Sequence, residues 1–488
     1  MPDSKALVIV LIAVLLGIFM RIDIFTLPIQ GKHSWRQTKT AWNIRNFVRH
    51  DSNIFNPRQG HFSGESNILR YEFPIMQWSI AMVEKVVGED ILVKRLFVYL
   101  ISLFSLIAVF KLAFLLSGDK LTAAMSVWVF SFLPTFFYHS VNILPDNLAL
   151  CFGLFYILFY FRYHKSAKIA DLAVAVIFLS LAGLAKLPFI LLGTVSLIDF
   201  IRMITKRNWR QVTHFAMIHM ISVIPVIGWY LMAVPTWKGN NIVTGFARDF
   251  VGMDQILEFL RIQVFENFPT QLLNYPSLIF LLFGVYFYVK KRRFFLLEGK
   301  YIFAPLGILL LYFLYVLNNI REGHDYYLMP FYTILIVPII YGIHKLYETK
   351  NRGRLVTFIL LAAMPIFCWQ KTKDNWQIEN AYFNSDVFIC RDALEAAAPK
   401  DALAIVVNDN SKAIFSYVID NRGFTFYNDH LPVHWIKDII NRRNAQYLFS
   451  DSRKVESQKG FSDCVSELIL QCGSINVYKL NSATEILD

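Results

Sequence analysis

The sequence predicts an α-helical polytopic membrane protein of about eleven spans, with a small α/β domain at its C-terminal end. Three observations predict it. The 488-residue chain is 56% apolar and 17% charged, against about 25% charged in an ordinary soluble domain, and its mean hydropathy is +0.43. Apolar runs long enough to cross a hydrocarbon core recur as far as residue 370. Beyond that point the pattern changes to short β and α segments.

The expected spans run near 6–22, 94–116, 121–139, 144–161, 169–185, 187–203, 212–234, 273–289, 301–319, 327–345 and 354–370. The first is followed by Arg21 and Asp23 with no small-residue cleavage site, so it reads as an uncleaved span. Alternate loops carry Arg162, Lys165 and Lys168; Arg202, Lys206, Arg207 and Arg210; Lys290 to Arg293; and Lys345, Lys350, Arg352 and Arg354. The positive-inside rule puts these in the cytoplasm. The N-terminus is then cytoplasmic, and a long first loop, the Asn142–Asp146 turn, a 235–270 loop, the Asn318–Tyr327 turn and the tail share the outer face. The net charge of +12 is thus topological and does not call for nucleic acid.

Residues 1–370 are read as a transmembrane module and 371–488 as a soluble extracytoplasmic domain. The loop at 23–90 holds ten Lys/Arg against seven Asp/Glu between Asp23 and Arg95, which suggests an anionic ligand. Two of its stretches have helical apolar faces: Ala41, Ile44, Phe47 and Val48, then Ile75, Trp78, Met82, Val83 and Val86. Both are expected to lie on the membrane surface and roof a cavity. In the tail, strands are expected at Ala402–Val407, Gly423–Tyr427 and Ala445–Ser450, helices at Ser411–Ile419 and Pro432–Arg443, and a hairpin over Leu468–Leu480. No GxGxxG or Walker loop is present, and no internal repeat supports an inverted-repeat transporter. The five cysteines form no CxxC pair; Cys464 and Cys472 either pair or stay as two buried thiols.

The ionisable candidates converge on the outer face. Glu72, just before Pro74, is either a helix N-terminal charge or a cavity-facing general base or metal ligand. Asp146, at the mouth of the fourth span, is an N-cap, a catalytic carboxylate, or both. Lys186 sits at an outer turn against the positive-inside trend; it either snorkels or holds a lipid-linked phosphate. Arg321, His324, Asp325, Tyr326 and Tyr327 offer cations and hydroxyls for phosphate and sugar, or anchor the interface. His33 and Arg36, in His33-Ser34-Trp35-Arg36-Gln37, precede a helix whose backbone donors favour anions. The chemistry this constellation suits is attack by an acceptor hydroxyl or amine on a sugar carbon that leaves a lipid phosphate.

With these residues in place, the chain resembles the GT-C membrane glycosyltransferases, most of all the bacterial branch related to protein O-mannosyltransferases and lipid A aminoarabinose transferases. The resemblance covers nearly the whole chain. It rests on His33 to Thr38, Tyr71-Glu72-Phe73-Pro74, Leu144-Pro145-Asp146, Leu184 to Pro188 and His324 to Tyr327. It implies a polyprenyl-phosphate-linked sugar donor, an extracytoplasmic glycan, lipid or protein acceptor, inversion at the anomeric carbon and a bacterial inner-membrane location. Glu72 and Asp146 would be base or metal ligands. His33, Trp35, Arg36, Gln37, Lys186, Arg321, His324, Asp325, Tyr326 and Tyr327 would bind donor or sugar. A divalent Mg, Mn or Zn ion is allowed but not required. One departure is plain: where much of the superfamily has a first-loop Asp or Asp-Glu pair, this chain has His33 to Gln37 followed by Lys39, with Asp23 as the fallback. The rival functions are a flippase for lipid-linked sugar, a catalytically inactive envelope-assembly relative, and a glycan polymerase or ligase.

Overall fold

The computed structural model describes residues 2–237, 252–295, 297–321 and 323–482. The loop expected over 235–270 thus lies in part outside the described residues. The chain is mostly helical and divides into two compact units. The first comprises Met1–Thr26, Tyr71–Met76 and Leu92–Lys373, and the second Leu27–Arg70, Gln77–Ile91 and Asp374–Asp488.

In chain order the helices begin α1 (Pro2–Phe19), α2 (Ser34–Arg49), α3 (Ile75–Val87), α4 (Ile91–Ser117), α5 (Lys120–Ser131), α6 (Pro134–His139), α7 (Asp146–Ser166), α8 (Ile169–Ala185), α9 (Thr194–Thr205) and α10 (Trp209–Ala233). Helices Tyr275–Lys291, Lys300–Tyr315, Tyr332–Glu348 and Lys350–Thr372 complete the first unit. A helical segment occupies each interval where a span is expected. Among the described residues five are long and apolar enough to cross a membrane by themselves, or six if Met253–Leu272 and Tyr275–Lys291, bent by 108°, count as one. Several others are short or broken: α5 stops before Pro134, and a 3₁₀ turn from Leu187 to Gly193 precedes α9.

Helix contacts in this unit use small and polar groups, as expected where lipid gives no hydrophobic drive. A Cβ added at Gly284 would lie 1.9 Å from the Pro338 carbonyl, so the helices Tyr275–Lys291 and Tyr332–Glu348 touch backbone to backbone. The buried Asp199 carboxylate accepts from the Tyr160 hydroxyl at 2.5 Å and the Tyr301 hydroxyl at 2.6 Å, tying α9 to α7 and to Lys300–Tyr315.

The second unit is built on a seven-stranded sheet in the order β2-β1-β6-β5-β7-β9-β8. Its strands are β1 (Arg58–Ser63), β2 (Ser66–Ile68), β5 (Leu403–Val406), β6 (Arg422–Thr425), β7 (Tyr447–Ser450), β8 (Val465–Cys472) and β9 (Ile475–Leu480); β3 (Arg293–Phe294) and β4 (Leu297–Glu298) form a separate pair in the first unit. The tail strands and the final hairpin form close to where the apolar pattern puts them.

The first loop departs from expectation. The sequence places it with the transmembrane module, yet most of it joins the tail. β1 pairs in parallel with β6 through His61 and Gly423. The α2 face that was expected on the membrane surface is instead packed within this unit: Ala41, Trp42, Ile44 and Phe47 are fully buried, Trp42 lies against Gly60, and its indole N–H donates to the Ser416 hydroxyl at 3.2 Å. α3 keeps Val83, Val86 and Val87 exposed. The cysteine alternatives are also resolved differently: Cys472 is bonded to Cys390, and Cys464 is free and buried.

Ion pairs fasten α2 to the tail. Asp420, 3% exposed, accepts from Arg45 at 2.7 Å and from both Arg49 terminal nitrogens at 2.9 and 3.0 Å. Replacing Asp420 by alanine takes the carboxylate from Arg45 and leaves Arg49 on Glu89 and Asp401, and is expected to cost about 2–4 kcal/mol, read as a lower unfolding midpoint and faster proteolysis between residues 27 and 70. Close by, His61 Nδ1 accepts the Thr425 N–H at 3.3 Å, and burial, helped by Lys412 and Lys39, pushes its imidazole down to about 4. The unfolded chain therefore takes up a proton between pH 6.5 and 4 that the folded chain refuses. This contribution to stability is complete above pH 6.5 and lost as pH falls through 4, by about 3 kcal/mol. His61→Gln is expected to flatten the melting temperature over that interval.

Candidate active site in the helical unit

The site grows from a break in the helices. α8 ends at Ala185 because Pro188 cannot continue it. Lys186 then adopts an extended conformation (φ −159°, ψ 114°) that turns its side chain away from the α8 stripe. The ammonium lies 3.3 Å from Asp146 Oδ2 and 5.2 Å from the ring centres of both Tyr326 and Tyr327. Asp146 is 1% exposed. It is the first residue of α7 but does not cap it: Pro145 occupies the cap position without a side-chain bond, and the Asp146 carboxylate turns to Lys186. Tyr326 and Tyr327 are stacked at 5.1 Å and buried.

Glu72 is pinned from both sides. The Tyr71 carbonyl accepts the Trp229 indole N–H of α10 at 3.1 Å, and the Phe73 N–H donates to the Leu184 carbonyl of α8 at 2.9 Å. Between these anchors Glu72 is 7% exposed. The Tyr230 hydroxyl lies within electrostatic reach of Glu72 and Asp146 alike, and the Tyr312 hydroxyl within reach of Asp146 and Tyr327. The structure thus gathers Glu72, Asp146, Lys186, Tyr326 and Tyr327 with two tyrosines that sequence reasoning missed. The Tyr312 hydroxyl is buried with no hydrogen-bond partner among the described residues.

The turn between α6 and α7 is fixed by two cations also missed. Arg95 is fully buried and donates to the Val141 carbonyl at 3.0 Å and Asn142 Oδ1 at 3.2 Å. Arg21 donates to the Phe137 carbonyl at 2.8 Å and to the Ser140 hydroxyl, its guanidinium 4.0 Å from the Phe137 ring. The available signal was an arginine at the edge of a long apolar run, where a cation calls for a partner. That turn presents His139, whose Nε2 is 2.8 Å from Asp325 Oδ1. His324 Nδ1 is 2.9 Å from the Asn319 carbonyl. Arg321 is exposed.

The first-loop candidates belong to the other unit. His33 precedes α2 in a left-handed conformation (φ 62°) and makes no side-chain cap. Arg36 is buried, with Nη1 3.4 Å from the Thr40 hydroxyl; Gln37 is buried; Trp35 is 40% exposed beneath the Lys39 ammonium.

Glu72 and Asp146 have no third His, Cys, Asp or Glu close enough to complete a three-residue metal cluster among the described residues. Two carboxylates nevertheless suit Mg²⁺ or Mn²⁺, which keep water and substrate phosphate in their shells.

The architecture has solved counterparts. ArnT from Cupriavidus metallidurans in the apo state superposes with a TM-score of 0.62 at 12% identity, over 97% of this chain and 98% of that one. The likeness is one of fold. ArnT bound to undecaprenyl phosphate gives the same TM-score at 11% identity, over 98% of each chain. The Archaeoglobus fulgidus oligosaccharyltransferase, in a complex with Zn and sulfate, superposes with a TM-score of 0.57 at 13% identity, over 91% of this chain and 68% of that one. The profile of the dolichyl-phosphate-mannose-protein mannosyltransferases matches residues 72–229, which carry Glu72, Asp146 and Lys186. No curated protein sequence matches the chain.

Proposed function

We propose that the protein is a membrane glycosyltransferase that moves one sugar, with inversion, from a polyprenyl-phosphate-linked donor to an extracytoplasmic glycan, lipid or protein. The observation that carries this reading is Lys186, a cation held by Asp146 and two stacked tyrosines at a break between helices, beside a pinned glutamate. Such a cation has a phosphate as its natural ligand. The GT-C fold of ArnT, solved with undecaprenyl phosphate, supports a lipid-borne one.

In this reading the acceptor hydroxyl or amine attacks the anomeric carbon from the face opposite the leaving group. The bond from that carbon to the phosphate oxygen breaks, and the electron pair leaves with the lipid phosphate, whose charge Lys186 stabilises. The acceptor proton passes to Glu72. Asp146, already committed to Lys186, orients the lysine. Where a divalent cation binds, Glu72 and Asp146 would hold it and it would add positive charge beside the phosphate.

The Cys390–Cys472 bond supports an oxidising compartment for the second unit. With the basic alternate loops, it favours about eleven crossings of a bacterial inner membrane, a cytoplasmic N-terminus and an extracytoplasmic tail.

The test is turnover of a panel of radiolabelled polyprenyl-phosphate sugars by purified protein in lipid. Release or transfer of one sugar is the expected result. No turnover, with donor crossing between leaflets of proteoliposomes, would replace the transferase by a flippase.

A further inference from the structure

The sheet of the second unit has a ligand crevice of its own. β5 lies between β6 and β7, and the three run parallel. The chain leaves β5 through the helix Ile414–Val418, which packs on the face of Ala404 and Val406. It leaves β6 through the helix Val433–Arg443, which packs on the opposite face with Ile405 and Val407. The loops after β5 and β6 therefore diverge to opposite faces at the carboxyl ends of adjacent strands. The strand order β6-β5-β7 reverses at β5, and in open α/β sheets ligands bind outside the carboxyl ends of the strands at such a reversal.

The residues gathered there are cationic and aromatic. Lys412, in the loop after β5, lies 5.9 Å from the ring centre of Tyr427, in the loop after β6. Lys39 of α2 lies 4.9 Å from the Trp35 ring. Tyr427 and Trp35 are 48% and 40% exposed. His61 of β1 closes the end of β6 through Thr425. Neither lysine has an ion-pair partner among the described residues. The neighbouring acid, Asp409, is buried and committed to the Ser411 hydroxyl at 2.5 Å and the Phe415 N–H at 3.2 Å. Burial, with Arg36 and Lys412 against it and only Asp409 for it, pushes Lys39 down to about 8. Asn408 clamps the two loops, donating to Asp429 at 2.8 Å and accepting its N–H at 2.9 Å. Lys412 is held at φ 56°, a conformation a lysine seldom takes without a reason in its surroundings.

We propose that this crevice binds an anionic saccharide, a sugar bearing a phosphate or carboxylate, with Lys39 and Lys412 on the anion and Tyr427 against the ring. Naming this ligand the acceptor rests on the transferase reading; the binding itself does not.

The experiment is calorimetric titration of the full-length protein in lipid nanodiscs with glucosamine 6-phosphate, galacturonate, inorganic phosphate and neutral N-acetylglucosamine. Saturable binding of the anionic sugars and not the neutral one is expected. Lys412→Ala and Lys39→Met should each weaken it at least tenfold, and Tyr427→Ala should weaken sugar phosphate but not inorganic phosphate. Lys412 and Tyr427 are exposed, so an unchanged melting temperature checks that these variants fold. Absence of saturable binding, or affinities indifferent to both lysines, overturns the proposal. Donor turnover by the same preparation separates the two readings: turnover without sugar binding removes the crevice and leaves the transferase, whereas sugar binding without turnover does the reverse.

Discussion

Lys186→Met is expected to lower donor turnover by about 10²–10³-fold, the usual effect of removing one preorganised donor to a departing oxyanion. A second effect must be separated from the first. Asp146 is 1% exposed, and taking away the lysine leaves its carboxylate buried without a cation. Breaking a buried pair from one side costs about 3–5 kcal/mol, so the single variant loses folded protein as well as activity. Asp146→Asn with Lys186→Met removes both charges and should restore the melting temperature to near that of wild type. Turnover should stay low. If the double variant recovers activity with stability, Lys186 is a strut and the phosphate has another ligand. Lys186→Arg gives the complementary result: the charge persists, but a planar guanidinium does not replace a compact ammonium between two rings, so an intermediate rate is expected.

The sequence reading located this lysine because Pro188 and the positive-inside rule together make it anomalous. Both are local signals. The strands of the tail were legible for the same reason: Leu403–Val406 and Tyr447–Ser450 are apolar runs between turn residues. What escaped was non-local. Arg58–Ser63 is polar, shows no alternation, and takes its place in the sheet between its neighbour β2 and β6, far along the chain. The apolar spacing of α2 marks a face, and the partner of that face is the sheet and Ser416 where the sequence suggests the membrane surface. Periodicity says that a face is buried and not against what. Cys472 has the same lesson: five cysteines admit many pairings, and the choice of Cys390 depends on where Ser385–Ile389 packs against the final hairpin. Within the candidate site, Tyr230 and Tyr312 were invisible because a tyrosine inside an apolar helix reads as core until a carboxylate is found beside its hydroxyl.

Glu72→Gln is expected to leave donor binding near wild type and reduce turnover by about 10²–10⁴-fold, the range for loss of a general base. The argument is positional. Glu72 is flanked by two anchors, the Tyr71 carbonyl bonded to Trp229 and the Phe73 N–H bonded to Leu184, which hold the loop on either side of it. Glutamine keeps its shape and hydrogen-bonding reach but cannot take a proton. Asp146, by contrast, is bound to Lys186, and Asp146→Asn should act through that lysine, raising KM for the donor along with lowering kcat. The pH profile distinguishes a base from a positioning residue. With Glu72 as base, kcat/KM rises from acid pH as the carboxylate ionises, and Glu72→Gln abolishes that limb while leaving the small residual rate flat. A Gln variant that keeps the acid limb at reduced height would move the base to another group, and Asp146 would then be the carboxylate to test. A variant as active as wild type would remove Glu72 from the chemistry altogether.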